Sequence, residues 1–267
     1  MADPDEGVAA DGTIRTGARR SRVPVAFEPV LADAVALASD GGASLYVYGS
    51  VATGTVRYGS SDVDLLSIDL PEAAVLGRRL SARYADRCRA VEIAAATDAD
   101  LAGDSDAAYG FRVFLRHYCV HLAGPDPSAA LPAFPADARA ARGFNGDIGQ
   151  HLRRWRQGLE SGTGDADMVG VRVARKTLLA VAGLVSVRDQ TWTTDRSRAA
   201  RRWSHVEPHL AAQLGGLLSW ASAERRPSPG EVGRALAMMR MTRRKVRTQS
   251  PRKPNGWRTR RPTAPPS

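Results

Sequence analysis

Between Tyr48 and Leu65 the chain reads Tyr-Gly-Ser-Val-Ala-Thr-Gly-Thr-Val-Arg-Tyr-Gly-Ser-Ser-Asp-Val-Asp-Leu. Asp62 and Asp64 stand two residues apart in a stretch, 62–68, where acidic and apolar side chains alternate. On a strand such residues share one face and lie about 6.5–7 Å apart along the chain. Two carboxylates on one face repel, so the pair is costly unless a proton or a cation intervenes. Magnesium suits that role, because it takes hard oxygen ligands and keeps positions open for waters and phosphates. Gly49-Ser50 follows directly on a strand-like run at 45–48. A glycine there allows a tight turn whose N–H groups and hydroxyl can face a phosphate. Glu92 sits between Val91 and Ile93 in a second strand-like run, 89–96, and so points away from both. With that strand beside the Asp strand, Glu92 reaches the same face. It then serves as a third ligand or as the base that takes a proton from an attacking hydroxyl.

The elements that must hold these residues are legible in outline. The segment 25–38 suits a helix stopped by Gly41-Gly42, and Pro71 opens another that runs to about 87. The stretch 107–123 is ambiguous, although its end, 119–122 before Gly124-Pro125, reads as a strand. Beyond it Val169, Val173, Leu178 and Leu184, then Leu210, Leu214, Leu217 and Leu218, recur near helical spacing. The expected organisation is an N-terminal segment without fixed structure (1–23), a mixed α and β region (24–125) and a Pro- and Ala-rich linker (126–136). A helical region (137–240) and a basic tail without fixed structure (241–267) complete it. The fold class predicted is α+β.

Composition narrows the function classes. The chain has 267 residues, 43% of them hydrophobic and 25% charged, which suits a protein with a packed core. No apolar run approaches the roughly 20 residues of a transmembrane helix. The first residues lack the apolar stretch of a secretory signal, so the reading is cytoplasmic, with no membrane partner. Two cysteines, Cys88 and Cys119, cannot build a disulfide framework or a structural zinc site. The net charge of +10 is located almost wholly at the end: Arg240–Arg261 contains ten cations, and no Asp or Glu follows Glu231. Such a tail reads as a solvated extension, or as an arm contacting RNA phosphates with strong salt dependence.

The pattern Gly-Ser, eleven residues, Asp-Val-Asp-Leu resembles the signature of the DNA polymerase β-like nucleotidyltransferase superfamily. Within it the chain is similar to bacterial small nucleotidyltransferases with a helical C-terminal domain, including the aminoglycoside adenylyltransferases. The resemblance covers about residues 44–96, and extends more weakly through 121–127 and 175–195. It implies an N-terminal nucleotidyltransferase domain, a mixed sheet with flanking helices, followed by an all-α domain that binds the acceptor. It also implies that Gly49, Ser50 and Ser61 hold the nucleotide, and that Asp62, Asp64 and Glu92 bind one or two magnesium ions and carry catalysis. The expected reaction moves a nucleoside monophosphate from ATP, or another nucleoside triphosphate, onto an acceptor hydroxyl.

The acceptor is less legible. Polycationic aminoglycosides call for an acidic pocket, yet residues 151–231 hold eight acids against thirteen Arg and Lys. A small-molecule acceptor is the first expectation, RNA or protein the second, and a non-enzymatic nucleotide-binding or antitoxin-like interaction protein the third. Arg57 and Lys176 are read as solvated cations rather than phosphate ligands. Arg198 with His205, and Arg112 with His117, match the loose Arg-to-His spacing of helical toxin ribonucleases, a match that an Arg-rich chain produces by chance.

Overall fold

Alternation of side chains decides which layers the strands can join. The computed structural model describes residues 3–38, 42–163, 165–222 and 224–248, the last eight by their backbone only. In chain order the elements are β1 (Gly7–Val8), β2 (Ile14–Arg15), α1 (Glu28–Ala38), β3 (Ser44–Tyr48), α2 (Gly49–Thr53), β4 (Val63–Ile68), α3 (Ala73–Arg83), β5 (Val91–Ala96), α4 (Asp98–Leu101), α5 (Asp106–Tyr118) and β6 (Val120–Ala123). There follow α6 (Ala138–Gly143), α7 (Ile148–Glu160), α8 (Ala166–Asp189), α9 (Arg196–Val206), α10 (Ala211–Ala221) and α11 (Pro229–Thr248). The fold is α+β, as the sequence predicts, with a mixed four-stranded sheet.

The sheet runs β5-β4-β3-β6. The β3–β4 and β3–β6 pairs are antiparallel, while β4 and β5 are parallel and connected through α3. On one face Leu45, Val47, Val63 and Leu65 are fully buried with Phe27, Leu31 and Leu80. On the other face Tyr46, Leu66 and Ile68 meet Leu115 of α5. Both faces of β3 and β4 are therefore covered, which is why these strands read as nearly continuous apolar runs.

The helical region is organised around α8. Val173, Leu178, Ala180, Val181, Ala182 and Leu184 are all buried, so this helix is apolar on most sides. It contacts α6, α7, α9, α10 and α11. A third apolar cluster joins the two regions: Tyr109 and Val113 of α5 meet Ala140 and Ala141 of α6, with Phe134, Ile14 and Trp192 around them. The approach of α5 to α6 is backbone to backbone. A Cβ on Gly110 would stand 2.0 Å from the Gly143 carbonyl oxygen, so neither helix could come this close with a side chain there. Among the described residues no helix is long and apolar enough to cross a membrane.

Several expectations are corrected. Residues 3–23, read as lacking structure, form the β1–β2 pair and bury Ile14, whose N–H donates to the Phe134 carbonyl at 2.9 Å. The linker 126–136 is docked rather than free, because Phe134 is buried and Asp126 accepts a 2.9 Å hydrogen bond from the Tyr46 hydroxyl. Both segments owe their order to partners far away in sequence, which local composition does not reveal. Strand β4 begins at Val63, which leaves Asp62 just ahead of it. The helix after Pro71 begins at Ala73, because Glu72 takes a left-handed conformation (φ 56°) that ends the preceding turn. The stretch 107–123 resolves into α5 and β6. The backbone of α11 continues to Thr248, past the expected start of the tail, and the rest of that tail lies outside the described residues.

Candidate active site

Register builds the site. Tyr48 of β3 pairs with Asp64 of β4, and Asp64 pairs with Glu92 of β5. Cross-strand partners share a face, so the three side chains form one row across the sheet. That face is apolar further along, at Tyr46, Leu66 and Ile68, and becomes polar at this end. Glu92 is exposed on the edge strand, whereas Asp64 is half-buried.

Gly49 is held here by two constraints. Its φ is 68°, in the left-handed region, and a Cβ on it would stand 2.5 Å from Asp64 Oδ2. The turn after β3 thus presses its backbone against the carboxylate. Thr53 stiffens it, donating from Oγ1 to the Gly49 carbonyl at 3.1 Å. Ser50 is half-buried in the same turn. Ser61 is used differently, because its Oγ accepts a 2.9 Å hydrogen bond from the Arg57 N–H and closes the 57–61 loop. Arg57 is exposed at the start of that loop.

Electrostatics records how close the carboxylates are. Burial first, then the charges of Asp62 and Glu92, push Asp64 up from 3.8 to about 6, against the opposing pull of Arg175 and Arg89. Burial, with Asp64, Cys119 and Glu92, likewise pushes the Tyr48 hydroxyl far above its ordinary value. Asp62, whose charge is the second cause raising Asp64, has a partner of its own. Lying ahead of β4, it is bound in a bidentate ion pair by Arg89, whose Nε donates to Oδ1 at 2.9 Å while its terminal nitrogen meets Oδ2. Arg89 itself precedes β5, so parallel pairing of the two strands brings these residues together. Among the described residues no group of three His, Cys, Asp or Glu side chains converges tightly enough to hold a metal ion. The donor set therefore differs from the closed triad expected of Asp62, Asp64 and Glu92. It fits magnesium in the open manner usual for that ion, with one or two carboxylates and the remaining positions left to water and phosphate.

The helical region contributes cations that sequence reasoning overlooked. Arg175 of α8 is among the charges acting on Asp64, and Arg196, the first residue of α9, is acted on by both Arg175 and Asp64. Arg196 reaches solvent, yet desolvation is the first cause lowering its pKa, followed by Arg175. Two arginines of the helical region thus act electrostatically on Asp64. The signal that could have found Arg196 is its place just after Asp195, which caps α9 by accepting from Ser197 N and Arg198 N at 2.8 and 3.0 Å.

Lys176, expected to be an exposed helix cation, is held inside instead. Its Nζ lies 2.6 Å from Asp147 Oδ1 and donates to the Phe144 carbonyl at 3.1 Å. Burial raises Asp147, but His151 and Lys176 together outweigh it and hold this carboxyl down at about 2. The histidines of the two Arg-to-His pairs are each engaged by backbone. His117 Nε2 accepts from the Phe134 N–H at 2.8 Å, and His205 Nδ1 lies 2.8 Å from the carbonyl of Arg201 in its own helix.

No protein-family model matches this chain, and no curated protein matches it either.

Proposed function

We propose that this protein is a magnesium-dependent nucleotidyltransferase of the polymerase β-like kind, moving AMP from ATP, or the monophosphate of another nucleoside triphosphate, onto an acceptor hydroxyl. In this reading the sheet region is the catalytic domain and the helical region supplies the acceptor side of the cleft. One observation carries the proposal: strand register sets Asp64 beside Glu92 with the Gly49 turn packed on Asp64, and this crowded carboxyl, raised to about 6, is acted on by the charge of Arg175. Carboxylates crowded beyond their comfort call for a cation, and arginines facing them call for an anion. A metal–triphosphate supplies both at once.

Asp64 would hold the magnesium, with Asp62 joining if Arg89 yields it and Glu92 joining if it is not the base. Bound there, the ion would neutralise charge developing on the phosphate oxygens. The Gly49-Ser50 turn lies against Asp64 and is suited to take the phosphates, while Arg175 and Arg196 are suited to the leaving pyrophosphate. The acceptor oxygen attacks the α-phosphorus, the bond to the pyrophosphate oxygen breaks, and the hydroxyl proton passes to Glu92 in its role as base. Tyr48, in line with Asp64, walls the site.

A small molecule is the acceptor proposed first. RNA is the second reading, favoured by exposed Arg198 and Arg201, which continue α9 outward from Arg196. Incubation with α-labelled ATP, magnesium and separate pools of aminoglycosides, tRNA and protein tests both. Magnesium-dependent pyrophosphate release with label in one pool supports the reading and names the acceptor. Absence of magnesium-dependent nucleotide binding by calorimetry overturns it in favour of an interaction protein.

A further inference from the structure

Glu6 stands where three parts of the chain meet. Its carboxylate accepts hydrogen bonds from the Tyr118 hydroxyl (2.6 Å), the Thr194 hydroxyl (2.6 Å), the Thr194 N–H (2.7 Å) and the Thr193 hydroxyl (3.2 Å). Tyr118 is the last residue of α5, which packs on the sheet, while Thr193 and Thr194 lie in the connection between α8 and α9. The same tyrosine oxygen accepts from Trp192 Nε1 at 2.7 Å. One carboxylate thus ties the sheet region to the connection that delivers Arg196.

Two further observations extend this. Asp195 follows Thr194 directly and caps α9, so the position of the clamp fixes the first turn of that helix and the root of Arg196. Aromatic rings also run unbroken from the site to the clamp. Tyr48 contacts Phe114 (5.1 Å between centroids), Phe114 stacks on Tyr118 (5.9 Å), Tyr118 meets Phe144 (5.4 Å), and Phe144 meets Trp192 (5.6 Å). The segment bearing Glu6 is itself anchored, with Asp5 paired to Arg22, and Asp3 accepting from the Gly17 N–H.

We propose that Glu6 is a positioning residue: it locks the 191–195 connection onto the end of α5 and thereby holds Arg196 over the acidic row. The clamp is a property of the chain alone; its consequence for nucleotide binding rests on the function proposed above. Four donors converge on one group, so only a carboxylate, which is all acceptor, satisfies them. Glutamine keeps the size but turns an NH₂ toward one of those donors, which makes Glu6→Gln a sharp perturbation of hydrogen bonding without loss of bulk.

The test uses the full chain as wild type, Glu6→Gln, Glu6→Ala, Arg196→Ala and the Glu6→Gln/Arg196→Ala double variant. Hydrogen exchange without nucleotide reads the clamp directly. Amides 194–198 should exchange about tenfold faster or more in both Glu6 variants, while those of β3 and β4 keep wild-type protection. Calorimetry with ATP and magnesium chloride reads the consequence: affinity should fall about tenfold in Glu6→Gln, and the double variant should be no weaker than Arg196→Ala alone. Unchanged exchange at 194–198 overturns the clamp. Fully additive losses overturn the link to Arg196, since a merely structural role would act independently of that arginine. Wild-type protein that binds no ATP refutes the proposed function, and the exchange measurement still decides the clamp. Should Glu6→Ala not fold, Glu6→Gln carries both measurements.

Discussion

Neutralising Asp64 should stabilise the metal-free protein. The carboxyl is raised from 3.8 to about 6 by burial and by the charges of Asp62 and Glu92. At about 1.36 kcal/mol for each tenfold change in the proton equilibrium, that displacement corresponds to about 3 kcal/mol of penalty on the ionised form. The sign follows from linkage. An acid whose pKa is higher folded than unfolded binds more protons in the native state between those two values, so stability falls as pH rises through that window. Below about pH 4 both states are protonated and the penalty is absent; above about pH 6 it is complete. Asp64→Asn removes the ionisation, so its stability should stay flat across this window and exceed wild type at pH 8 by up to about 3 kcal/mol. For a chain of this size each kcal/mol moves the melting temperature by about 2–4 °C. The difference in Tm at pH 8 should therefore be up to about 6–12 °C, vanishing near pH 4. Thermal melts followed by circular dichroism in EDTA, across this pH range, make the measurement. ATP with magnesium should then raise the wild-type Tm and leave that of the variant nearly unchanged. Identical melting at pH 8, with parallel pH profiles, would refute the crowding of carboxylates and with it the argument for a cation.

Other outcomes follow from the same geometry. Glu92→Gln should lower single-turnover rates by about 10²–10⁴-fold with ATP–magnesium binding retained if Glu92 acts as base, whereas loss of binding as well, seen by calorimetry, would make it a ligand. Arg196→Ala and Arg175→Ala should each weaken ATP binding while leaving the melting temperature close to wild type, because both are exposed and neither fills the core. Gly49→Ala should cost about 1–2 kcal/mol in urea unfolding and abolish transfer, since the left-handed backbone is strained and the new methyl would stand 2.5 Å from Asp64 Oδ2. Lys176→Met should destabilise by about 2 kcal/mol in the same assay, because it leaves Asp147 in a partly buried place with His151 alone, yet leave ATP affinity unchanged.

Chemistry-bearing residue types and the strands that carry them were legible in the sequence for a physical reason. A strand buried on both faces must be a short apolar run, an edge strand must alternate, and a tight turn needs glycine, so β3, Gly49-Ser50, β4 and β5 announce themselves through local pattern alone. The row of Tyr48, Asp64 and Glu92 is a different matter. Placing Glu92 opposite Asp64 requires that β5 lie parallel to β4 in one particular register, and no local pattern states which strand neighbours which. Pairing of Asp62 with Arg89 has the same origin, since both residues precede strands that only the assembled sheet sets side by side. Arg175 and Lys176 make the point most plainly. Adjacent on α8, they are rotated by about 100° around the helix axis, and their sequence context is nearly identical. Packing of α8 against its neighbours turns Lys176 onto Asp147, while Arg175 stays exposed with its Nε donating to the Ala221 carbonyl at 3.4 Å. Likewise the first residues, polar and short of apolar content, give no sign of structure, because their order comes from donors on Tyr118, Thr193 and Thr194 more than a hundred positions away. Periodicity is enforced locally, by which side chains must leave water. Partnership between charges is enforced by tertiary packing, and that is what assembles this site.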